Sequence, residues 1–311
     1  MDFLLIIAGL VLLVLGGDWL LKAAVGMSLR LNISKIVIGM TVVSFATSAP
    51  ELIVSVKSAM AGFPDIALGN VVGSNIANIG LILGLVMMIS KMQVDQSFFK
   101  TDWPAMIISS LILFGMLFSD GQISRGEGVV LFTLIILFVI YLVKSQKNTG
   151  EAVETPLEET MAMYKIAGFL LIGAVALYGG SEFLIKGAVN VAQAFGVSDR
   201  VIAVTVVAVG TSIPELAASL IAAVKKESSI SIGNIIGSNI FNILSVLGLS
   251  AVIHPIRLAD NRLLTFDIFW MLGFAFILLP LVYMPQKGFL DRKAGIVLLG
   301  GYITFVYLTF A

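Results

Sequence analysis

Residues 44–52 read Ser-Phe-Ala-Thr-Ser-Ala-Pro-Glu-Leu, and residues 69–78 read Gly-Asn-Val-Val-Gly-Ser-Asn-Ile-Ala-Asn. The text returns later in the chain. Residues 208–216 read Ala-Val-Gly-Thr-Ser-Ile-Pro-Glu-Leu, and 233–242 read Gly-Asn-Ile-Ile-Gly-Ser-Asn-Ile-Phe-Asn. The offset is 164 residues throughout, without a gap from Lys22/Lys186 to Leu85/Leu249. Each copy sets a glutamate directly behind a proline inside an apolar run. Packing alone gives little reason to write that twice, and the pair reads as one cation site divided between two halves of a transporter.

The surroundings of the motif fix the solvent. Of 311 residues 59% are apolar and 12% charged, and the mean hydropathy is +1.05; a soluble domain carries about 25% charged residues. Apolar runs of ~18–24 residues are long enough to cross a ~30 Å hydrocarbon core as helices. Ten spans can be drawn, at about 2–24, 35–60, 66–90, 103–119, 127–144, 165–188, 200–223, 229–253, 263–283 and 289–310. The expected fold is an all-α membrane protein of ten transmembrane helices, with the lipid bilayer as its main partner. The apolar run from Phe3 lacks a basic leader and a small-residue cleavage site, and reads as a retained helix. A net charge of zero gives no footprint for nucleic acid, and no protein partner is expected. The absence of cysteine excludes thiolate metal sites and disulfides.

The acidic stretch 145–164, with Gly150 and Pro156, separates the copies and reads as a linker. The domains are then 1–144 and 165–311, each with five spans. Five is odd, so each half must enter the membrane from the opposite side: an inverted repeat, with broken helices and the site near the midplane. With the N-terminus outside, thirteen lysines and arginines fall in inner loops and six in outer ones. That bias puts both termini outside and the linker in the cytoplasm of a cell membrane.

Pro50 and Pro214 lack an N–H and collide with the carbonyl four residues back, so carbonyls near Ala46/Thr47 and Gly210/Thr211 should be released. A packing kink is one reading and an ion-lined break the other; the matched repetition beside a carboxylate favours the second. Glu51 and Glu215 would each cost about 2.5–3.5 kcal/mol at the bilayer centre. No lysine or arginine lies at their depth, so the open readings are a protonated, hydrogen-bonded acid or a bound cation. Thr47, Ser48, Thr211 and Ser212 precede the prolines. Ser74 with Asn78, and Ser238 with Asn242, are four apart and share a helix face. They serve either as ordinary interhelical bonds or as oxygen toward the same point. Gly69/Gly73 and Gly233/Gly237 have the spacing that lets helices approach closely. Asn75 and Asn239 point about 100° away from the serines and are the weaker candidates. Every candidate ligand is a hard oxygen, which suits calcium with its six to eight oxygens. Zinc or copper would want His or Cys, and the one histidine, His254, sits at a span end. An intramembrane enzyme is disfavoured, because Asp18, Asp102, Asp120 and Asp267 all fall near span ends.

At these motifs the chain resembles the calcium/cation antiporter superfamily, specifically the short prokaryotic sodium/calcium exchangers. The repeats look like Gly-Thr-Ser-x-Pro-Glu and Gly-Asn-x-x-Gly-Ser-Asn-x-x-(Asn/Asp), here at 46–51 with 69–78 and at 210–215 with 233–242. The resemblance implies ten helices, alternating access with the first and sixth helices sliding past a core, and calcium or sodium as cargo with no cofactor. It implies that Glu51, Glu215 and the carbonyls of Thr47 and Thr211 hold calcium. The side chains of Ser48, Ser74, Ser212 and Ser238, with the carbonyls of Ser44 and Ala208, would serve sodium, and Asn78 and Asn242 would line the centre. Ala46 replaces a glycine of the motif, and Asn242 stands where many relatives carry aspartate. The amide argues against potassium dependence and removes one candidate proton carrier. Sodium coupling is the first expectation and proton coupling the alternative.

Overall fold

The computed structural model describes residues 2–147, 161–195, 210–258, 261–283 and 288–310. Most of the expected linker and the start of the seventh expected span, Ala208 included, lie outside these residues. Flanking helices reach into the linker from both sides, ending at Lys147 and resuming at Met163.

Among the described residues, seven helices are long and apolar enough to cross a membrane: Asp2–Leu31, Ile66–Ile89, Phe98–Asp120, Arg125–Ser145, Met163–Ala194, Ser228–Ile253 and Leu263–Tyr283. The bent pair Lys35–Thr47 and Ala49–Met60, meeting at 47°, makes an eighth if it is one span. The two remaining expected spans correspond to the shorter helix Ile213–Val224 and the 19-residue helix Arg292–Phe310. The chain is a multi-pass, all-α membrane protein. The count itself gives seven or eight spans, not the expected ten.

The 164-residue offset persists in the backbone. Ala49–Met60 matches Ile213–Val224, and Pro64–Ala77 matches Ser228–Phe241. In both copies the next segment is a wide π-helical turn, Asn78–Leu83 and Asn242–Leu247, followed by a last α-turn. After these come the two-residue strands β1 (Met92–Gln93) and β3 (Ile256–Arg257), again 164 apart. The strands β2 (Gln122–Ile123) and β4 (Phe289–Leu290) follow the next long helix in each copy. Their pairing is crossed: β1 pairs with β4 and β2 with β3, both antiparallel.

Two of the close approaches between the halves bear on the site. Asp2–Leu31 and Met163–Ala194 run antiparallel with their backbones in contact. A Cβ on Gly16 would lie 2.8 Å from the Leu177 nitrogen, and one on Gly173 would lie 2.8 Å from the Leu20 nitrogen. Asp18 ties the first of these helices to Lys225, at the end of Ile213–Val224. The second approach sets Ser228–Phe241 against 36–40 of the other half. A Cβ on Gly233 would come within 2.5 Å of the Ile36 carbonyl, and one on Gly237 within 2.6 Å of the Met40 Cα. The small-residue reading therefore holds for Gly233 and Gly237. Gly69 and Gly73 meet no described atom within 4 Å of such a Cβ; their counterpart contacts, by the offset, fall near 200–204, outside the described residues.

The repeat extends to a single turn. Ala49–Met60 ends with Gly62 N–H on the Ala59 carbonyl and Phe63 N–H on the Ser58 carbonyl, the bonding of a left-handed helix cap. Ile213–Val224 ends identically, with Lys226 N–H on Ala223 and Glu227 N–H on Ala222. Gly62 takes φ +82° at no steric cost, whereas Lys226 is forced to +64°. A left-handed side-chain-bearing residue costs about 1–2 kcal/mol, partly offset by the greater freedom glycine has in the unfolded chain. Lys226→Gly is expected to stabilise the protein by about 1 kcal/mol, a rise of ~2–4 °C in the thermal midpoint in detergent. A lower midpoint would contradict the strain.

Candidate functional site

The site forms where both broken helices restart. Ser48 (φ −83°, ψ 6°) and Ser212 (φ −87°, ψ 3°) leave helical geometry, and new helices begin at Ala49 and Ile213. Pro50 and Pro214 are then in the first turn, where the missing N–H is one that has no partner anyway. The sequence pattern foresaw the break, but the prolines start a helix more than they kink one. The carbonyl four residues before Pro214, that of Gly210, accepts the Ser181 hydroxyl at 2.9 Å. The counterpart of Ser181 in the first half is Gly17, which has no hydroxyl to offer.

This geometry puts Glu51 and Glu215 in the first turn of their helices, where the unpaired N–H groups and the helix dipole favour negative charge. Both side chains are 0% exposed. The Thr211 and Ser74 hydroxyls stand around Glu51. Around Glu215 stand Thr47 and Ser48, with the Ser48 hydroxyl donating to Oε1 at 3.1 Å. Hydroxyls of the two halves meet at 3.5 Å twice, Thr47 with Ser238 and Ser74 with Thr211. Each glutamate is therefore faced by the other half's threonine.

The π-helical turns bring in the amides. Asn242–Leu247 packs against Ala49–Met60, and Asn78–Leu83 against Ile213–Val224. Asn242 and Asn78 open these turns and are buried. Asn75, expected to point away, is buried too; it accepts the Asn242 amide at 3.1 Å and donates to the Asn239 carbonyl at 3.2 Å. Ser44 is farther back. Its hydroxyl bonds to the Gly39 and Asn234 carbonyls, and its own carbonyl accepts Ser48 N–H at 2.9 Å and the Thr47 hydroxyl at 3.3 Å.

Among the described residues, seven buried side-chain atoms of this set have no hydrogen-bond partner: both Glu51 oxygens, Glu215 Oε2, Asn78 Oδ1 and Nδ2, Asn242 Oδ1 and Ser212 Oγ. Buried polar atoms are nearly always partnered, so this concentration marks a place built for something else to contact. Among the described residues no lysine or arginine is buried, and no group of three or more His, Cys, Asp or Glu gathers. The chemistry on offer is oxygen, from two carboxyl groups, hydroxyls and amides. Oxygen of this kind suits calcium or sodium; zinc would look for sulfur and imidazole.

The sequence reading missed Asn70 and Asn234. The Asn234 amide accepts Thr47 at 3.1 Å and donates to Ser219 at 2.9 Å. Asn70 accepts Thr211 at 3.3 Å and donates to Ser55 at 3.0 Å and to the Glu51 carbonyl at 3.3 Å. Both signals were in the text: each asparagine is one helical turn before Ser74 or Ser238, and Ser55 and Ser219 are one turn after Glu51 and Glu215.

The family model described as sodium/calcium exchanger protein matches residues 1–144 and 165–311. The chain is 35% identical over 314 residues to the putative antiporter CaxA of Alkalimonas amylolytica, covering 98% of each. It is 31% identical over 347 residues to the sodium/calcium exchanger MaX1 of Methanosarcina acetivorans, covering 99% of this chain and 98% of that one. A solved structure of the sodium-calcium exchanger NCX_Mj, soaked with Na+ and Ca2+, superimposes with a TM-score of 0.81 at 30% identity. That match covers 98% of this chain and 97% of the other.

Burying two carboxylates without a basic partner costs several kcal/mol per ion. In sodium-free solution with a calcium chelator, Glu51→Gln and Glu215→Gln are each expected to raise the thermal midpoint by roughly 5–10 °C. Both should also abolish any further rise on adding calcium. A lower midpoint in both variants would contradict the charge-burial argument.

Proposed function

Because the chain belongs to the sodium/calcium exchanger family, matched over both of its halves, we propose that it exchanges calcium for sodium across a cell membrane by alternating access. The carrying observation is the pair of fully buried glutamates, one from each half, with three of their four oxygens unpartnered among the described residues. Family membership makes it an ion exchanger and not an enzyme.

The architecture behind this reading is ten spans in two inverted repeats, 1–144 and 165–311, joined by a cytoplasmic linker at 145–164, with both termini outside. Two observations support the inversion. β1 pairs with the counterpart of β2, not with its own counterpart β3, so equivalent points of the halves lie at opposite ends. The Gly16–Gly173 and Gly9–Gly180 contacts likewise join antiparallel helices at positions exchanged by the offset.

Calcium would be held by Glu51 and Glu215 with the carbonyls of Thr47 and Thr211, a set that reaches six oxygens if both carboxylates are bidentate. Ser48, Ser74, Ser212 and Ser238, with the carbonyls of Ser44 and Ala208, would take part in sodium sites, and Asn78 and Asn242 would line the centre. Two carboxylates neutralise one calcium or two sodium ions. Shared ligands prevent full occupancy by both. A loaded, neutral cluster can be enclosed and moved, while an empty one leaves two buried charges without compensation. Exclusive binding thereby becomes obligatory exchange. Sodium is favoured over protons because position 242 is an amide, which carries no proton to exchange.

In proteoliposomes, an outward sodium gradient should drive calcium uptake, while potassium and proton gradients imposed separately should not. Uptake that follows the proton gradient alone would convert the assignment to a calcium/proton antiporter, and uptake without any counter-gradient would indicate a channel. Glu51→Gln and Glu215→Gln should each abolish exchange; normal flux in either would remove that residue from the site. Asn242→Asp should alter sodium or proton dependence more than calcium binding, and no change in either would remove position 242.

A further inference from the structure

The two asparagines behind the hydroxyls are related by the repeat and do the same thing in each half. A carboxamide is a flat, rigid unit with an acceptor at one end and donors at the other. Asn234 turns its acceptor to Thr47, in the other half, and its donor to Ser219. Ser219 is four residues past Glu215 on the same helix, one turn behind it. Asn70 turns its acceptor to Thr211 of the other half and its donors to Ser55, one turn behind Glu51, and to the Glu51 carbonyl. That carbonyl can only accept, so the orientation of the Asn70 amide is fixed. Asn234, Thr47, Ser219 and Ser55 are all 0% exposed.

We infer that Asn70 and Asn234 are positioning residues. Each is a strap that fixes the distance between the threonine of one half and the glutamate-bearing helix of the other, and thereby the size of ion the cluster takes. This inference rests on the antiporter reading and extends it. The proposed calcium ligands on either side of a strap are a backbone carbonyl, at Thr47 or Thr211, and a carboxylate, at Glu215 or Glu51. Neither asparagine touches the ion in this arrangement. Without the strap, the broken helix and the opposite helix are free to part, and a cluster that widens fits a larger divalent ion better.

The straps are not equal. Ser219 is itself anchored, its carbonyl accepting the Ser231 hydroxyl at 2.8 Å, whereas the counterpart of Ser231 is Ala67. Asn70 and Thr211 are only partly buried. The Asn234 strap is the stiffer one and its loss should matter more.

The test compares parent, Asn234→Ala, Asn70→Ala, Ser219→Ala and Ser55→Ala in proteoliposomes, measuring sodium-driven calcium uptake against calcium concentration and strontium competition. Losing a group that holds a metal ligand in place typically weakens metal binding about 10–100-fold. Asn234→Ala should raise the half-saturating calcium concentration by that much while changing the maximal rate far less. Its strontium-to-calcium preference should rise. Asn70→Ala should shift in the same direction by less, and the serine variants should follow their own asparagines more mildly. Half-saturation and strontium preference equal to the parent, with losses only in folded yield or maximal rate, would overturn the inference. If Asn234→Ala does not fold, Ser219→Ala and Asn234→Ser decide it by the same criteria. A parent that shows no sodium-driven uptake sinks the antiporter reading instead. The straps are then judged by calorimetric calcium titration of the purified parent and variants, and a parent that binds no calcium either removes both.

Discussion

Two carboxylates enclosed by protein, with no basic side chain among the described residues to meet them, set the terms for everything around them. The chain compensates with dipoles and hydroxyls. Each glutamate is placed in the first turn of a helix, where unpaired N–H groups favour negative charge. That placement needs a helix that begins inside the protein, and a helix that begins there needs another that stops. In the first half Ser48 supplies the stop, and Pro50 and Pro214 cost little because their missing N–H falls in the first turn. The broken helix is thus a consequence of where the charge has to be.

The second constraint is that neither half can complete the site alone. Ser48 donates to Glu215, Thr47 to Asn234 and Thr211 to Asn70, all across the repeat boundary. The close backbone approach at Gly233 and Gly237 makes the Thr47–Asn234 bond geometrically possible, since a single added Cβ would push 36–40 away from the helix that carries Asn234 and Ser238. The crossed bonds are not symmetric in detail. Ser48 has its carboxylate partner, while its counterpart Ser212 has none. A twofold-repeated sequence has settled into an arrangement that differs between its halves, as a carrier with two exchangeable states would.

The repeat, the membrane and the acids were legible because each rests on a strong local signal. Residue identity at a fixed offset, a 59% apolar composition and a charge behind a proline survive without knowledge of neighbours. The π-helical turns at Asn78 and Asn242 were not legible. One extra residue per turn leaves no trace in an apolar stretch such as Asn-Ile-Gly-Leu-Ile-Leu, yet it decides which way the amide faces. Asn75 lies in the regular helix before that turn and meets Asn242 because Asn242–Leu247 of the other half packs against its helix. Asn70 and Asn234 were passed over because an asparagine beside a glycine in a helix reads as packing. Only the partner across the boundary, a threonine 141 or 187 residues away, gives it a role. The glycine rule succeeded at Gly233 and Gly237, where the facing segment is described.

The part of the fold that has to move under this reading is the antiparallel pair Asp2–Leu31 and Met163–Ala194. Internally the pair is stiff, because its glycines bring backbone against backbone and leave no side chains to rearrange. Outwardly its polar ties include Asp18 to Lys225 and Ser181 to the Gly210 carbonyl. The second of these reaches the broken helix directly, one residue before Thr211. A shift of the pair along its axis would therefore be felt at a proposed ion ligand through a single hydrogen bond. Position 17, the counterpart of Ser181, has no hydroxyl to make the equivalent bond on the other half. A rigid pair that donates a hydrogen bond one residue before Thr211, with no hydroxyl at Gly17 to do the same before Thr47, has a physical means of making the two faces of the site unequal.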